Sequence, residues 1–201
     1  MNELKFPLET YLAKAISYED YMELGEQLLA ENKTSGIDHS PEMIEYTRMN
    51  VHRAHRILKK GQVHPETKIF LDNFSKNVTL LILSEYWCGD AAQNLPWLHL
   101  MFHDRPNLQL KVLFRDEHPE LMDAFLTNGA RAIPKVIVLN ENREICATWG
   151  PRPASAQEII LENKRTGALP KEEVYKKLHL WYAQNEGKEI QSEFCNLLNA
   201  C

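Results

Sequence analysis

The pattern of apolar and polar residues divides the chain into a helical first part, a middle part rich in strands and a helical last part. Apolar residues recur at helical spacing over residues 8–32, which predicts two short helices. A third helix is predicted from Ser40, a good N-cap that is followed by proline, to Gly61. The same periodicity near the other end predicts three more helices, at about 154–165, 171–184 and 188–199.

Short apolar runs alternate with amphipathic stretches in the middle of the chain. The runs predict strands at 78–83, 108–114, 136–139 and 144–149. Helices are predicted between them at 91–102 and 119–127. The order strand, helix, strand, helix, strand, strand indicates a βαβ unit followed by a hairpin. The predicted fold class is α/β: a central mixed β-sheet flanked by helices, with an N-terminal helical extension and extra C-terminal helices.

The length of 201 residues and the hydrophobic content of 44% favour one main domain with appendages. We predict an N-terminal helical extension over residues 1–67 that packs on the main domain. The core is predicted over 68–166 and a helical tail over 167–201. The pattern predicts no particular oligomeric state.

Charge and hydropathy exclude some classes of partner. The net charge of −5 lacks the clustered basic surplus of a nucleic-acid-binding protein, so no nucleic acid is expected. No apolar run approaches the roughly 20 residues that span a bilayer, and we expect no membrane partner. The first residues are acidic and lack the apolar region of a secretory signal. A cytoplasmic location is therefore expected.

The four cysteines stand at positions 88, 146, 195 and 201, without a C-x-x-C pair or the spacing of metal ligands. Neither a disulfide scaffold nor a metal site is predicted. Cys146 lies in a predicted strand and is expected to be a small buried hydrophobic residue. A disulfide between the tail and Cys88 is not expected, because the chain end would have to fold back.

Cys88 lies in the stretch SEYWCGDAAQ, where a strand ends and a helix begins. A thiol at a helix N-terminus faces unpaired backbone N–H groups and the positive end of the helix dipole, which favour the thiolate. The carboxylate of Asp90 opposes this effect. We predict an accessible Cys88 whose pKa lies below that of a free cysteine.

Several separated motifs around Cys88 resemble those of one superfamily. Trp87-Cys88-Gly89 is similar to the Trp-Cys-Gly of the thioredoxin active site, and Gly129 to Pro134 is similar to the stretch that carries its cis-proline. Further matches are Pro96, Asp116 with Pro119, and Gly150. Over residues 70–165 the chain therefore resembles the thioredoxin-like superfamily, in the subgroup with Trp-Cys-Gly-Asp. This resemblance implies a thioredoxin-like fold and a cis-proline at Pro134.

Two departures from the thioredoxin pattern affect the chemistry. Ala91 stands in place of the second, resolving cysteine, and Ile82 in place of the buried aspartate that helps to deprotonate it. The two losses are linked, since a buried carboxylate without a thiol to serve costs desolvation energy. The chain is therefore predicted not to be a dithiol reductase.

The predicted site consists of Cys88 as nucleophile and a set of substrate-positioning residues: Trp87, Gly89, Asp90, Ile133, Pro134 and Arg152. Arg152 follows the last strand, where its guanidinium either holds a carboxylate of a small thiol or extends into solvent. Arg131 and Lys135 flank the proline and are expected as solvated surface charges.

The leading functional hypothesis is thiol–disulfide redox chemistry by a monothiol mechanism. A lone thiolate forms a mixed disulfide, and an external thiol must release it. Glutathione or another small thiol is the expected co-substrate, with no other cofactor. The expected partners are a protein or peptide thiol or disulfide, or a small thiol. Two alternatives stay open: reduction of a peroxide by way of a sulfenic acid, and a redox-inactive binding or scaffold module that uses the groove beside Pro134.

Overall fold

The structure is a computed structural model that describes residues 7–201; the first six residues of the predicted extension lie outside the described residues. Its first part contains α1 (Leu8–Leu12), β1 (Ile16–Ser17), α2 (Tyr18–Ala30), α3 (Pro41–Lys60) and α4 (Pro65–Asp72). The middle part contains β2 (Val78–Ser84), α5 (Gly89–Phe102), β3 (Leu108–Phe114), a 3₁₀ turn (Arg115–Glu117), α6 (Pro119–Ala124), β4 (Lys135–Leu139) and β5 (Ile145–Trp149). The last part contains α7 (Ala154–Thr166), α8 (Lys171–Asn185) and α9 (Lys188–Ala200).

The strands form one five-stranded mixed sheet in the order β1-β3-β2-β4-β5. β2 and β3 are parallel, and the other neighbouring pairs are antiparallel. Every residue of β2 and β4 is buried, as expected for central strands covered on both faces. The predicted α/β fold, a mixed sheet flanked by helices, is confirmed.

The sequence of β2 explains why it occupies the centre of the sheet. Its apolar run pairs with β3 on one side and with β4 on the other, and Ile82 lies opposite Val112 and Val136. Ile82 has no exposed surface. The position at which the resemblance implies an aspartate is thus part of the apolar core, and a carboxylate there would be desolvated.

The local structure differs from the prediction at three short elements. Residues 8–32 contain the strand β1 as well as two helices. With two residues, β1 is too short to show the alternation of apolar and polar residues that marks a strand. Helix α4, of eight residues, was not predicted. Helix α6 ends at Ala124 rather than at 127, because Thr127 and Ala130 hydrogen-bond to each other across a tight turn. Short elements carry too few periodic positions to be recognised.

The buried apolar residues form one main core and one small separate cluster. The main core contains residues of the sheet together with residues of α2, α3, α5 and α9. The small cluster belongs to α7 and α8, and its members are Ala156, Ile160, Leu178, Trp181 and Tyr182. Helices α7 and α8 therefore pack mainly on each other. No helix within residues 7–201 is both long enough and apolar enough to cross a bilayer.

Cys146 and Cys201 form a disulfide, with 5.3 Å between their Cα atoms. The prediction that Cys146 is a small buried hydrophobic residue is therefore wrong, and this pairing was not predicted from the sequence. The reason is the packing of α9, whose apolar face brings Phe194 to 5.3 Å from Trp149, between ring centroids. This packing carries the chain end back to β5, a long-range contact that no local pattern shows.

Candidate thiol site

Cys88 is the N-cap residue of α5 and follows directly on the loop after β2. Its Sγ accepts a hydrogen bond from the backbone N–H of Ala91 at 3.5 Å. The thiol in turn donates to the carbonyl oxygen of Ile133 at 3.3 Å. The peptide bond between Ile133 and Pro134 is cis, as the resemblance implies. The structure thus brings three of the predicted site residues together: Cys88, Ile133 and Pro134.

The thiol of Cys88 is buried, with 7% of the residue exposed. Burial raises the pKa of Cys88 to about 12, and the negative charge of Asp90 acts in the same direction. The backbone N–H groups of Ala91 and Asp90 and the charge of Arg152 act in the opposite direction and are outweighed. The prediction of an accessible thiol with a lowered pKa is therefore wrong. The helix N-terminus has the expected effect on the pKa, but desolvation is larger.

Helix α3 covers one side of the Cys88 segment. The side-chain amide of Asn50 donates to the carbonyl of Tyr86 at 2.9 Å, and Arg53 donates to Asn50 at 3.0 Å. A cavity of about 20 Å³ lies between α2, α3 and Cys88. It has room for about one water molecule. A disulfide substrate therefore has no space on this side of the sulfur.

Asp90 belongs to a buried polar network that joins α5 to the C-terminal helices. The guanidinium of Arg152 binds its carboxylate with two contacts, Nε to Oδ1 at 2.9 Å and Nη2 to Oδ2 at 2.6 Å. The hydroxyl of Tyr182 donates to the same Oδ1 at 2.9 Å, and Asn94 donates to that hydroxyl at 3.0 Å. Burial raises the pKa of Asp90, and the opposite effects of Arg152 and Tyr182 offset it only in part.

This network corrects the prediction for Arg152. Its guanidinium neither extends into solvent nor stands ready for the carboxylate of a small thiol, because it is bound in a bidentate manner to Asp90. Bidentate arginine–carboxylate pairs are among the strongest polar contacts in proteins. In this structure Arg152 positions Asp90, and Asp90 lies two residues from the thiol.

Trp87 and Gly89 lie on either side of Cys88 in different environments. Trp87 is half-buried, and the guanidinium of Arg115 lies over its ring, 4.8 Å from the centroid. A Cβ atom added to Gly89 would lie 3.9 Å from both Asn50 and Arg53, which is ordinary contact. Gly89 therefore has its backbone against α3, and Trp87 faces the loop before α6.

The cis-proline loop is held by a close approach from Gly150. A Cβ atom at this position would lie 2.1 Å from the carbonyl oxygen of Pro134, and the residue has a φ of +120°. Only glycine fits both conditions. The predicted glycine after the last strand thus has a physical role, because it lets the loop before Arg152 pass directly against Pro134.

The two charged residues beside the proline have different environments. Arg131 is exposed and forms a bidentate ion pair with Asp123, as a surface charge does. Lys135 is buried, in contrast to the prediction, and its Nζ lies 3.4 Å from the hydroxyl of Thr127. Burial lowers the pKa of Lys135. Its place in central strand β4 explains the burial.

Several residues of the site were not predicted from the sequence. Asn50, Asn94 and Tyr182 carry the polar contacts around the Cys88 segment, and they come from three different helices. Glu85 is fully buried and accepts a hydrogen bond from the backbone N–H of Asp116 at 2.9 Å. Burial raises the pKa of Glu85. A glutamate directly after a strand with a continuous apolar run was the available signal for that residue.

The remaining cysteines are not partners of Cys88 in this structure. Cys195 is a free thiol on α9, and the other two cysteines form the disulfide between β5 and α9. Within residues 7–201 there is also no group of three histidine, cysteine or acidic side chains suited to a metal ion. The chemistry available to the site is that of one thiol.

A family model described as Thioredoxin matches residues 36–169 of the chain. The chain belongs to the thioredoxin family. The match begins inside the predicted N-terminal extension, so α3 is within the family region of this thioredoxin-family protein. No curated protein matches it.

Two solved structures are similar to this thioredoxin-family protein over 92% of its length. One is a protein of unknown function from Pseudomonas aeruginosa, 17% identical, with a TM-score of 0.59 and 98% of its own chain covered. The other is an HIV epitope scaffold, 16% identical, with a TM-score of 0.57 and 99% covered. At these identities the likeness extends to the fold alone.

Proposed function

We propose that this thioredoxin-family protein carries out thiol–disulfide exchange through Cys88 alone, with an external thiol to complete the cycle. The observation that carries the proposal is the position of the sulfur. It lies at the N-cap of α5, 3.3 Å from the Ile133 carbonyl and beside the cis-proline. In the proposed complex, an extended protein segment pairs with the backbone of the cis-proline loop. This pairing brings the disulfide of the segment next to the Cys88 thiol.

The proposed reaction has three exchange steps. The Cys88 thiolate attacks a protein or peptide disulfide, forms a mixed disulfide with one sulfur and releases the other as a thiolate. Because Ala91 provides no resolving thiol, a small thiol such as glutathione attacks the mixed disulfide. The small thiol bonds to the Cys88 sulfur, and the substrate leaves as a thiolate. A second small thiol then attacks the bound small thiol, which releases Cys88 as a thiolate and forms the disulfide of the two small thiols.

The burial of Cys88 means that exchange requires an opening of the site. Helix α3 covers the Cys88 segment through Asn50, which bonds to Tyr86, and α8 is held beside the segment by the bond from Tyr182 to Asp90. Helices α7 and α8 share little of the main core, so their displacement exposes few apolar residues. We propose that exchange occurs from this open form and that the closed form protects the thiol.

A second candidate is a redox-inactive binding module that uses the groove beside Pro134. The burial of Cys88 and its raised pKa favour this candidate, since a protonated thiol is a poor nucleophile. In that case the serine variant of Cys88 would bind its partner as the wild type does.

The proposal is tested by turnover of bis(2-hydroxyethyl) disulfide with glutathione. We expect catalysed reduction by the wild type, loss of at least about 90% of it in Cys88→Ser, and retention in Cys195→Ser, the matched control for a free cysteine. Equal activity in the two variants, or no catalysis by the wild type, would contradict monothiol exchange and favour the binding module.

We further propose the cytoplasm as the location, where glutathione is available. In a reducing cytoplasm the Cys146–Cys201 pair would exist as two thiols. Thiol labelling of freshly lysed cells tests the location, because a pair that resists labelling would indicate an oxidising compartment.

A further inference from the structure

A groove of about 400 Å³ lies between the C-terminal end of α3, the middle of α5 and the turn that joins α8 to α9. Its volume is that of a site for a small molecule. The residues that line it and matter here are Arg56, Lys60, His64, Gln93, Trp97 and Tyr182. The groove does not contain Cys88, but it shares Tyr182 with the network around Asp90.

The lining of the groove carries a net positive charge. Arg56 and Lys60 lie four residues apart on α3 and are both exposed. Within residues 7–201 neither makes an ion pair or a hydrogen bond. Glu186 contributes a carboxylate to the lining, so the two cations exceed it by one charge. Unpaired cations at a concave surface attract an anion and bind it with charge-assisted hydrogen bonds.

The groove also contains polar groups that the protein leaves without a partner. Gln93 is only 7% exposed, and its side-chain amide makes no hydrogen bond to any residue from 7 to 201. The Nε2 atom of His64 is buried and has no partner either. Buried polar groups are hydrogen-bonded as a rule. A polar ligand in the groove reaches the amide of Gln93, whereas the Nε2 atom of His64 is closed to solvent.

The apolar wall of the groove is rigid. A Cβ atom at Gly61 would lie 2.7 Å from the indole of Trp97, and one at Gly187 would lie 2.3 Å from it. The backbones of these two glycines therefore hold the indole from α3 and from α9. The indole is 8% exposed and belongs to the main core, so it presents only a small part of its surface to the groove. This part is fixed before binding, which costs little ordering entropy.

We propose that this groove binds a small organic anion that carries a flat apolar ring, such as an aromatic carboxylate. The carboxylate is held by Arg56 and Lys60, and the amide of Gln93 bonds a polar atom of the ligand. The ring packs beside Val63 and the exposed part of Trp97. Because Tyr182 borders both the groove and Asp90, the ligand contacts the residue that closes the thiol site. The proposal does not depend on the redox activity of Cys88.

A matched pair of ligands tests the proposal by NMR. The protein is titrated with 1-naphthoate and, separately, with the uncharged 1-naphthamide. We expect saturable one-to-one binding of naphthoate with the largest shifts at Gln93 and the Trp97 indole, and naphthamide binding at least about fivefold weaker. Shifts that do not saturate, that lie elsewhere on the protein, or that are equal for the two ligands would overturn the proposal.

A matched pair of variants tests the role of the two cations. The double variant Arg56→Ala, Lys60→Ala is compared with Arg48→Ala, Lys59→Ala, which removes the same charge from exposed positions of the same helix outside the groove. We expect at least about tenfold weaker naphthoate binding in the first variant and less than about twofold change in the second. Equal weakening in both variants would show that binding depends only on the net charge of the protein, and it would overturn the proposal that the groove is the binding site.

Discussion

At the scale of single residues, the state of Cys88 is decided by a competition between burial and backbone dipoles. Two N–H groups at the start of α5 and Arg152 favour the thiolate, but burial and Asp90 raise the pKa to about 12. The sequence showed the helix start and Asp90. It did not show the burial, because the residues of α2 and α3 beside the thiol, such as Tyr21 and Asn50, are far away in the chain.

The pH dependence of alkylation tests this description of Cys88. Since the pKa is raised, the thiolate fraction at neutral pH is small, and the rate of reaction with iodoacetamide is expected to rise about tenfold for each pH unit from 7 to 10. A plateau near pH 8.5 would indicate an unperturbed thiol. Peptide mapping separates Cys88 from Cys195.

Replacement of Asp90 by asparagine is expected to accelerate this alkylation. The change removes a negative charge that raises the Cys88 pKa and leaves the positive Arg152, so the pH profile shifts to lower pH. Loss of the buried ion pair is expected to reduce the free energy of unfolding by about 3 kcal/mol. Asp104→Asn, an exposed carboxylate distant from the thiol in the chain, is the control. An unshifted profile in Asp90→Asn would contradict the assigned role of Asp90.

At the scale of elements, the strands and long helices follow from the sequence, and the packing of the covering helices does not. The apolar run of β2 and the proline and glycine signals around α3 predict these elements, because each satisfies its own local pattern. How α8 sits on α5 depends instead on single polar contacts, chiefly Tyr182 with Asp90 and Asn94. Such contacts have no period, so the position of α8 was not predictable.

Amide hydrogen exchange is expected to separate α7 and α8 from the sheet. Because these helices have their own small apolar cluster, they open at a lower free energy than the central strands. We expect amides of α8 to exchange at least about a hundredfold faster than those of β2 and β4. Equal protection would mean that α8 unfolds only with the whole domain, and the proposed opening of the thiol site would then be wrong.

At the scale of the whole molecule, the chain end is tied to the sheet edge by the Cys146–Cys201 disulfide, which spans 55 residues of sequence. Helix α9 is also held there by Glu193, which accepts hydrogen bonds from the indole of Trp149 at 2.6 Å and from the backbone N–H of Ala154 at 2.8 Å. Of the predicted tail, helix α9 therefore contributes to the main core, through Ile190, Phe194 and Leu198.

Reduction of this disulfide is expected to lower the free energy of unfolding. Closure of a loop of this length corresponds to at most about 4 kcal/mol. Denaturant unfolding with and without dithiothreitol measures the difference, and Cys201→Ser should unfold as the reduced wild type does. A variant as stable as the oxidised protein would contradict the proposed contribution. Cys195→Ser is the control that leaves the disulfide intact.

The central claim is that Cys88 alone exchanges with disulfides, and it is tested most directly by trapping. The native protein is incubated with glutathione disulfide, and the modified residues are identified by mass spectrometry of peptides. We expect one glutathione on Cys88, formed faster in Asp90→Asn and removed completely by reduced glutathione. No adduct on Cys88 in the native protein, with modification only after unfolding, would contradict it.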